Sequence, residues 1–378
     1  MKKPLYQLKQ RHDVIRQFTP NWFTVTMGTG VVALILAEFS VFAQSVNIFA
    51  TLLWQMNIVL FSLFSVLYIL RWLIYPHEAR QIFTHSSMAL FLGTIPMGLA
   101  TIINGFLKFG VVLYGDIAIQ IAQMLWYVDV FLAVLIGVFV PFLMFSRQKH
   151  ELKTMTAMWL LPIVACEVTA ASGGLLLQHL AVGQTTLGIL FGSYILWGMS
   201  VLPAFAILTI LLLRLALHQL PSKELAISSW LALGPIGTGA LALLVLGAQA
   251  PHILQAYHLN GLADFLHYAG IASSLILIGF GVWWFVIAVL TTLSHVKTGL
   301  PFNLGWWGLT FPLGVFTLAI LNLGHQLQVN FIVNCGLALS VLLIALWGMV
   351  MLKTLRGMYQ GYLFHSPCLQ NLLQREQV

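Results

Sequence analysis

Carboxylates embedded in apolar runs are the groups of this chain most apt for chemistry. Glu167 lies five residues after Pro162, Asp129 ends the string Trp126-Tyr127-Val128-Asp129, and Glu38 comes late in the first apolar run. An ionisable side chain inside a bilayer is costly, which makes each a functional candidate by default. Glu167 reads as the proton-coupling candidate, with Glu38 ranked behind it; the competing reading is a hydrogen-bonded packing residue. Asp129 falls on an outer helix, where a structural hydrogen bond is expected. Other constellations fail on spacing. His77-Glu78 begins the zinc-protease pattern, but Gln81 stands where the second histidine is needed, which excludes an intramembrane protease. Cys166, Cys335 and Cys368 have no paired spacing and read as packing residues. His252, His258, His267 and Asp264 lack tight ligand spacing and read as solvated, so no metal is expected. No phosphate loop or nucleotide fingerprint occurs, so neither a cofactor nor ATP-driven pumping is implied.

The elements that would position these groups are marked by proline. Pro96, Pro162, Pro235 and Pro312 sit inside apolar runs, 66, 73 and 77 residues apart. A proline within a membrane helix removes a backbone hydrogen bond and bends it. The recurrence predicts a helical hairpin repeated along the chain, one helix kinked and one straight per unit. The first unit has no such proline, but Gly28 and Gly30 of Met27-Gly28-Thr29-Gly30, with Gly28 68 residues before Pro96, weaken a helix at the matching place. Five hairpins around an axis, each giving its flawed helix to the centre, make a pore. Pro141 and Pro203 depart from this pattern.

Composition sets the class. Charged residues are 7% of the 378 and hydrophobic ones 60%, more apolar surface than a soluble domain can hide, so the chain is an all-α polytopic membrane protein whose partner is the lipid bilayer. Spans are read at 22–43, 50–74, 86–106, 118–145, 156–180, 187–217, 227–249, 267–294, 304–325 and 329–353. They form one transmembrane domain over 18–356, with tails at 1–17 and 357–378. Sixteen of the 17 Lys and Arg residues fall on one side and Lys108 alone on the other, which places both termini in the cytoplasm. The net charge of +7 reads as this orienting bias rather than as a nucleic-acid surface. No cleavable signal is read at the amino terminus, and residues 4–17 have one apolar face suited to the membrane interface. No Lys or Arg occupies the middle of a span, so an anion path would rely on backbone amides, helix ends and hydroxyls. Each proline also frees the carbonyl four residues before it, and carbonyls attract cations, so the residues alone leave the substrate's charge open.

Several strings are more specific. Phe18-Thr19-Pro20-Asn21-Trp22-Phe23, Gly93-Thr94-Ile95-Pro96, Trp126-Tyr127-Val128-Asp129, Leu233-Gly234-Pro235 and Pro301-Phe302-Asn303-Leu304-Gly305-Trp306-Trp307-Gly308-Leu309-Thr310-Phe311-Pro312 resemble the tellurite-resistance/dicarboxylate transporter family. That family includes malate permeases, sulfite exporters and plant slow anion channels, and the likeness runs over about residues 18–360. The resemblance implies a homotrimer of independent pores in the plasma membrane, each with five inner and five outer helices. It implies a small anionic substrate, malate-like C4-dicarboxylates or sulfite, and no enzymatic activity. It also implies that Phe311, directly before Pro312, occludes the pore as its gate. The short tails leave no room for the kinase regulation of the plant channels. Two alternatives stay open: an exporter of two five-helix halves, whose prolines would repeat at roughly 180 residues, and an integral-membrane enzyme, which would want a polar cluster at one membrane face.

Overall fold

The computed structural model describes residues 4–8, 10, 12–39, 44–297 and 299–376, with side chains through 374. Lys2, Lys3, Lys9, Arg11 and the side chain of Arg375, used above for orientation, lie outside the described residues, as do 40–43 of the first expected span. Among the described residues, ten helices are long and apolar enough to cross a membrane: α1 Pro20–Glu38, α2 Gln44–Ile74, α3 Met88–Tyr114, α4 Asp116–Ser146, α5 Ala157–His179, α6 Gln184–His218, α7 Ala226–Gln255, α8 Asn260–Val296, α9 Leu304–Leu327 and α10 Asn330–Gln360. No strand occurs among the described residues.

Burial divides the ten into two sets. The apolar windows of the odd helices are 78–94% buried and those of the even helices 17–33%. The odd helices touch in order, α1 on α3, α3 on α5, α5 on α7, α7 on α9, and α9 returns to α1. Each even helix packs on the odd helix before it and turns exposed Leu, Val, Ile and Phe outward, the side chains a lipid surround requires.

The prolines act differently from breaks in a continuous α-helix. α3 begins as a 3₁₀ segment over Met88–Gly93 and becomes α-helical at Thr94. The same change follows Ala157–Leu160, Ala226–Ala232 and Leu304–Leu309, so Pro96, Pro162, Pro235 and Pro312 all stand in the first α-helical turn. There a backbone N–H has no helical acceptor to reach, and proline's fixed φ suits the start of a helix. Gly28 and Gly30 do not break α1, which is α-helical without interruption over Phe23–Glu38. A Cβ on Gly28 would collide with Thr310 and Trp307 of α9, and one on Gly30 with Thr101 of α3 and Asn57 of α2. These two glycines permit close helix approach in place of the expected weakening.

The ends are fastened by buried arginines. Arg71, at the end of α2 and 1% exposed, donates to the carbonyl of Phe18 and, at 3.1 Å, to Ser366 Oγ. One guanidinium thus joins the entry to α1 with the segment after α10. Phe364 stacks on Trp22 with centroids 4.9 Å apart, and a helix over Pro367–Glu376 follows. Arg214 of α6 similarly donates to the carbonyls of Lys153 and Gln219. In the amino-terminal segment, helix among the described residues is confined to Asp13–Arg16, where Arg16 grips Glu78 at 2.6 Å. Arg71→Ala would leave the buried Phe18 carbonyl without its donor, a cost of about 1–3 kcal/mol. A lower unfolding temperature in detergent, followed by tryptophan fluorescence, is the expected result; wild-type melting would show that the clamp carries no energy.

Candidate functional site

All five odd helices bring their first turns to one cavity of about 700 Å³. Its walls include Thr24 and Met27 of α1, Phe91 of α3, Met158 and Leu161 of α5, Leu231 of α7, and Phe311 and Pro312 of α9. The rim carries both signs of charge, with Lys149 and His150 beside Glu151 and Glu224. Tyr362 and His365 of the docked carboxyl-terminal segment border it as well.

The field in this cavity is positive but weak. Helix amino termini carry partial positive charge from unpaired amides, and the inner helices direct theirs here. The hydroxyls add little donor capacity. Thr24 donates to the Asn21 carbonyl at 2.6 Å, Thr94 to Phe91 at 2.6 Å and Thr310 to Trp307 at 2.7 Å. Thr24 and Thr310 spend their protons on their own helices, and Thr94 reaches the Pro20 carbonyl of α1 as well, at 2.9 Å. Below the rim, where Lys149, Glu151 and Glu224 stand, the described lining carries no Lys or Arg.

Phe311 is the first residue of the α-helical part of α9, is 4% exposed, and lines the cavity. Glu167 stands elsewhere. It is fully buried, and its polar neighbour Ser200 of α6 donates its hydroxyl to the Ile163 carbonyl at 2.8 Å, which leaves neither carboxylate oxygen with a donor of its own. A Cβ on Gly239 of α7 would lie 3.7 Å from its Oε2, beside Val201 of α6 and Leu277 of α8. It therefore faces the junction of α5 and α7 with the outer helices, and it is absent from the cavity wall. Asp129 accepts from Thr169 Oγ1 at 2.7 Å, while Trp126 donates to the Thr169 carbonyl at 2.9 Å, a structural tie between α4 and α5 as expected. Glu38 pairs with Lys108, the lone basic residue of the opposite side, at 3.1 Å. The ring nitrogen Nδ1 of His267 lies 3.2 Å from the Gly247 carbonyl oxygen, and Cys166 and Cys368 are buried while Cys335 is exposed.

Two features at the cavity escaped sequence reasoning. The docked tail had no signal beyond a few apolar residues after Arg356. The other is His85, whose Nδ1 accepts from the backbone amides of Ser87 and Met88, 3.2 Å from each, and so caps the start of α3, where Ser87 and Met88 line the cavity. A histidine two and three residues ahead of a helix start was the only clue to it.

A family model, voltage-dependent anion channel (SLAC1), matches residues 17–355. The chain belongs to this anion-channel family. Among its relatives, the sulfite efflux pump SSU1 of Arthroderma benhamiae is 36% identical over 354 residues, covering 92% of each chain. An uncharacterized transporter of Methanocaldococcus jannaschii is 28% identical over 355 residues, 93% of this chain and 96% of its own. The malic acid transport protein of Schizosaccharomyces pombe is 24% identical over 368 residues, 94% of this chain and 81% of its own. As a member of the anion-channel family, this chain is a multi-pass membrane protein of anion transport.

The cap at the rim has a pH signature. Burial holds the His85 imidazole below its ordinary pKa of 6.5, so its contribution is present above pH 6.5 and is lost as the pH falls through the lower folded value. Protonated imidazole cannot accept, and losing a cap costs about 1 kcal/mol. Stability measured from pH 7.5 down to 5 is expected to fall in the wild type and to fall less in His85→Ala. Parallel curves would remove His85 from the rim's support.

Proposed function

We propose that this protein carries small anions across the plasma membrane through the axis of its inner helices, with sulfite preferred over C4-dicarboxylates such as malate. The observation that carries the reading is the convergence of five buried helix starts on one cavity that includes Phe311. Sulfite is placed first because the relatives named as sulfite efflux pumps reach 36% identity, against 24% for the malic acid transport protein. In this reading the five hairpins surround the pore, and the change from 3₁₀ to α path at each proline bends the inner helix. Both termini face the cytoplasm, the cavity is the inner vestibule, and the working form is a homotrimer. No covalent step is assigned to any residue, and no enzymatic activity is part of the proposal.

Phe311 is the gate. An aromatic ring in a narrow dry passage denies ions their hydration, and the adjoining helix start gives the ring a place to pivot. In proteoliposomes loaded with sulfite, Phe311→Ala is expected to raise efflux about tenfold, equivalent to about 1.4 kcal/mol of barrier. Wild-type flux in a well-folded variant would remove Phe311 from the path.

Glu167 is the proposed proton-coupling group, acting from beside the pore, where it faces α6 and α8. A buried carboxyl without a hydrogen-bond partner is free to exchange a proton with any water that reaches it. Glu167→Gln is expected to flatten the pH dependence of sulfite transport while leaving transport itself intact. An unchanged pH profile would leave Glu167 a packing residue and the transport passive.

A further inference from the structure

Gly234 stands out among the glycines of this chain. It is buried in α7 immediately before Pro235, yet a Cβ built on it would meet no atom within 4 Å. Every other described glycine with such open space belongs to an even helix or to a connection between helices. On α7 the cavity-lining Leu231 stands three residues before Gly234, and Thr238 follows Gly234 at α-helical spacing, so one stripe runs 231, 234 and on to Thr238.

The depth of this stripe follows from the contacts of α7 with α9. Leu231 is met by a Cβ on Gly308, and a Cβ on Gly237 runs into Phe316. The two helices run parallel, so residues 77 to 79 apart lie at one level, and Gly234 is level with residues 311–313. The open space beside Gly234 is therefore at the level of the Phe311 ring or just outward of it. Thr238 follows one turn further out, about 6 Å along the helix.

Thr238 is 1% exposed and its hydroxyl has no protein partner. Thr24, Thr310 and Thr317 on other inner helices donate to carbonyls of their own helices, and Thr94 lies between the Phe91 carbonyl and that of Pro20 in α1. A buried hydroxyl ordinarily finds a partner, and this one has kept its proton free. It stands one turn beyond the space the Gly234 side chain leaves open.

We propose that Gly234 and Thr238 form a resting site for one compact oxyanion, directly outward of Phe311. The site rests on the anion-transport reading and specifies which anion class that path favours. Gly234 supplies the room and the Thr238 hydroxyl supplies a single donor. A compact oxyanion of the sulfite class is served by one donor and sheds part of its hydration over a short distance. A C4-dicarboxylate entering the same space would hold its second carboxylate against apolar wall with no donor, at a desolvation cost.

The test is sulfite and malate efflux from proteoliposomes, with wild type, Phe311→Ala, Thr238→Val, Thr238→Ser, Gly234→Val and Gly234→Ala. Thr238→Val keeps shape and removes the donor, and is expected to raise the half-saturating sulfite concentration about tenfold, the worth of a hydrogen bond to a charged group. Thr238→Ser keeps the donor and is expected to saturate like the wild type. Gly234→Val is expected to lower the flux of both anions about tenfold or more, and adding Phe311→Ala is not expected to restore it, because the obstruction is separate from the gate. Gly234→Ala adds a methyl that meets no atom, so it folds even where valine does not, and it is expected to reduce malate flux more than sulfite flux. Thr238→Val with wild-type saturation, or Gly234→Ala with wild-type flux of both anions, overturns the site while leaving transport standing. If neither the wild type nor Phe311→Ala passes any anion, the transport reading falls and the site falls with it.

Discussion

Every backbone amide and carbonyl in a bilayer must find its partner inside the protein, and that requirement shapes this molecule throughout. A regular α-helix meets it unaided, which is why the outer helices run as long uninterrupted elements of 31–37 residues. The inner helices do not meet it alone. Four of them begin as 3₁₀ segments and then carry a proline in the first α-helical turn, leaving unpaired groups that hydrocarbon would punish. Those segments are tolerable because they are enclosed by other helices and border a cavity. Burial of the odd helices and exposure of the even ones is the answer to that constraint.

The irregularity that has to be hidden is also what makes a path. A helix start exposes amides, five starts at one cavity sum to a modest positive field, and no Lys or Arg from mid-span adds a fixed charge. An ion that binds a buried cation stays; one that meets dipoles and a few hydroxyls moves on. In the proposed function, Phe311 supplies a barrier of hydration rather than of charge. The hydroxyls of Thr24 and Thr310, turned back on their own helices, keep that balance.

Rigidity comes from the periphery. Glycines let α1 lie against α9 and α3 closely enough that an added Cβ would collide. Arg71 and Arg214 satisfy carbonyls where the chain leaves its helices, and the segment after α10 is held against Trp22 beside the cavity. These fastenings join residues up to 295 positions apart, as with Arg71 and Ser366.

The number of spans and the level of the prolines were legible from the sequence because each is a local property: hydropathy over about 20 residues and a missing amide at a fixed period. The motif around Phe311-Pro312 was legible too, and the structure sets it at the cavity. What depended on the partner across space was not. Gly28 and Gly30 read as helix breakers because the sequence does not reveal that Thr310 and Thr101 come against them. For Glu167, the proton-coupling candidate, hydropathy reports depth in the bilayer but not direction around the helix, and only the structure turns it toward α6 and α8. Conversely, Gly234 looked like any membrane glycine until its surroundings showed open space where the others have neighbours. Sequence by itself determined which segments cross the membrane and where each is irregular, since both follow from the residues of that segment alone. Only the tertiary structure decided which side of each helix faces the conduit, because that face is set by side chains arriving from distant parts of the chain.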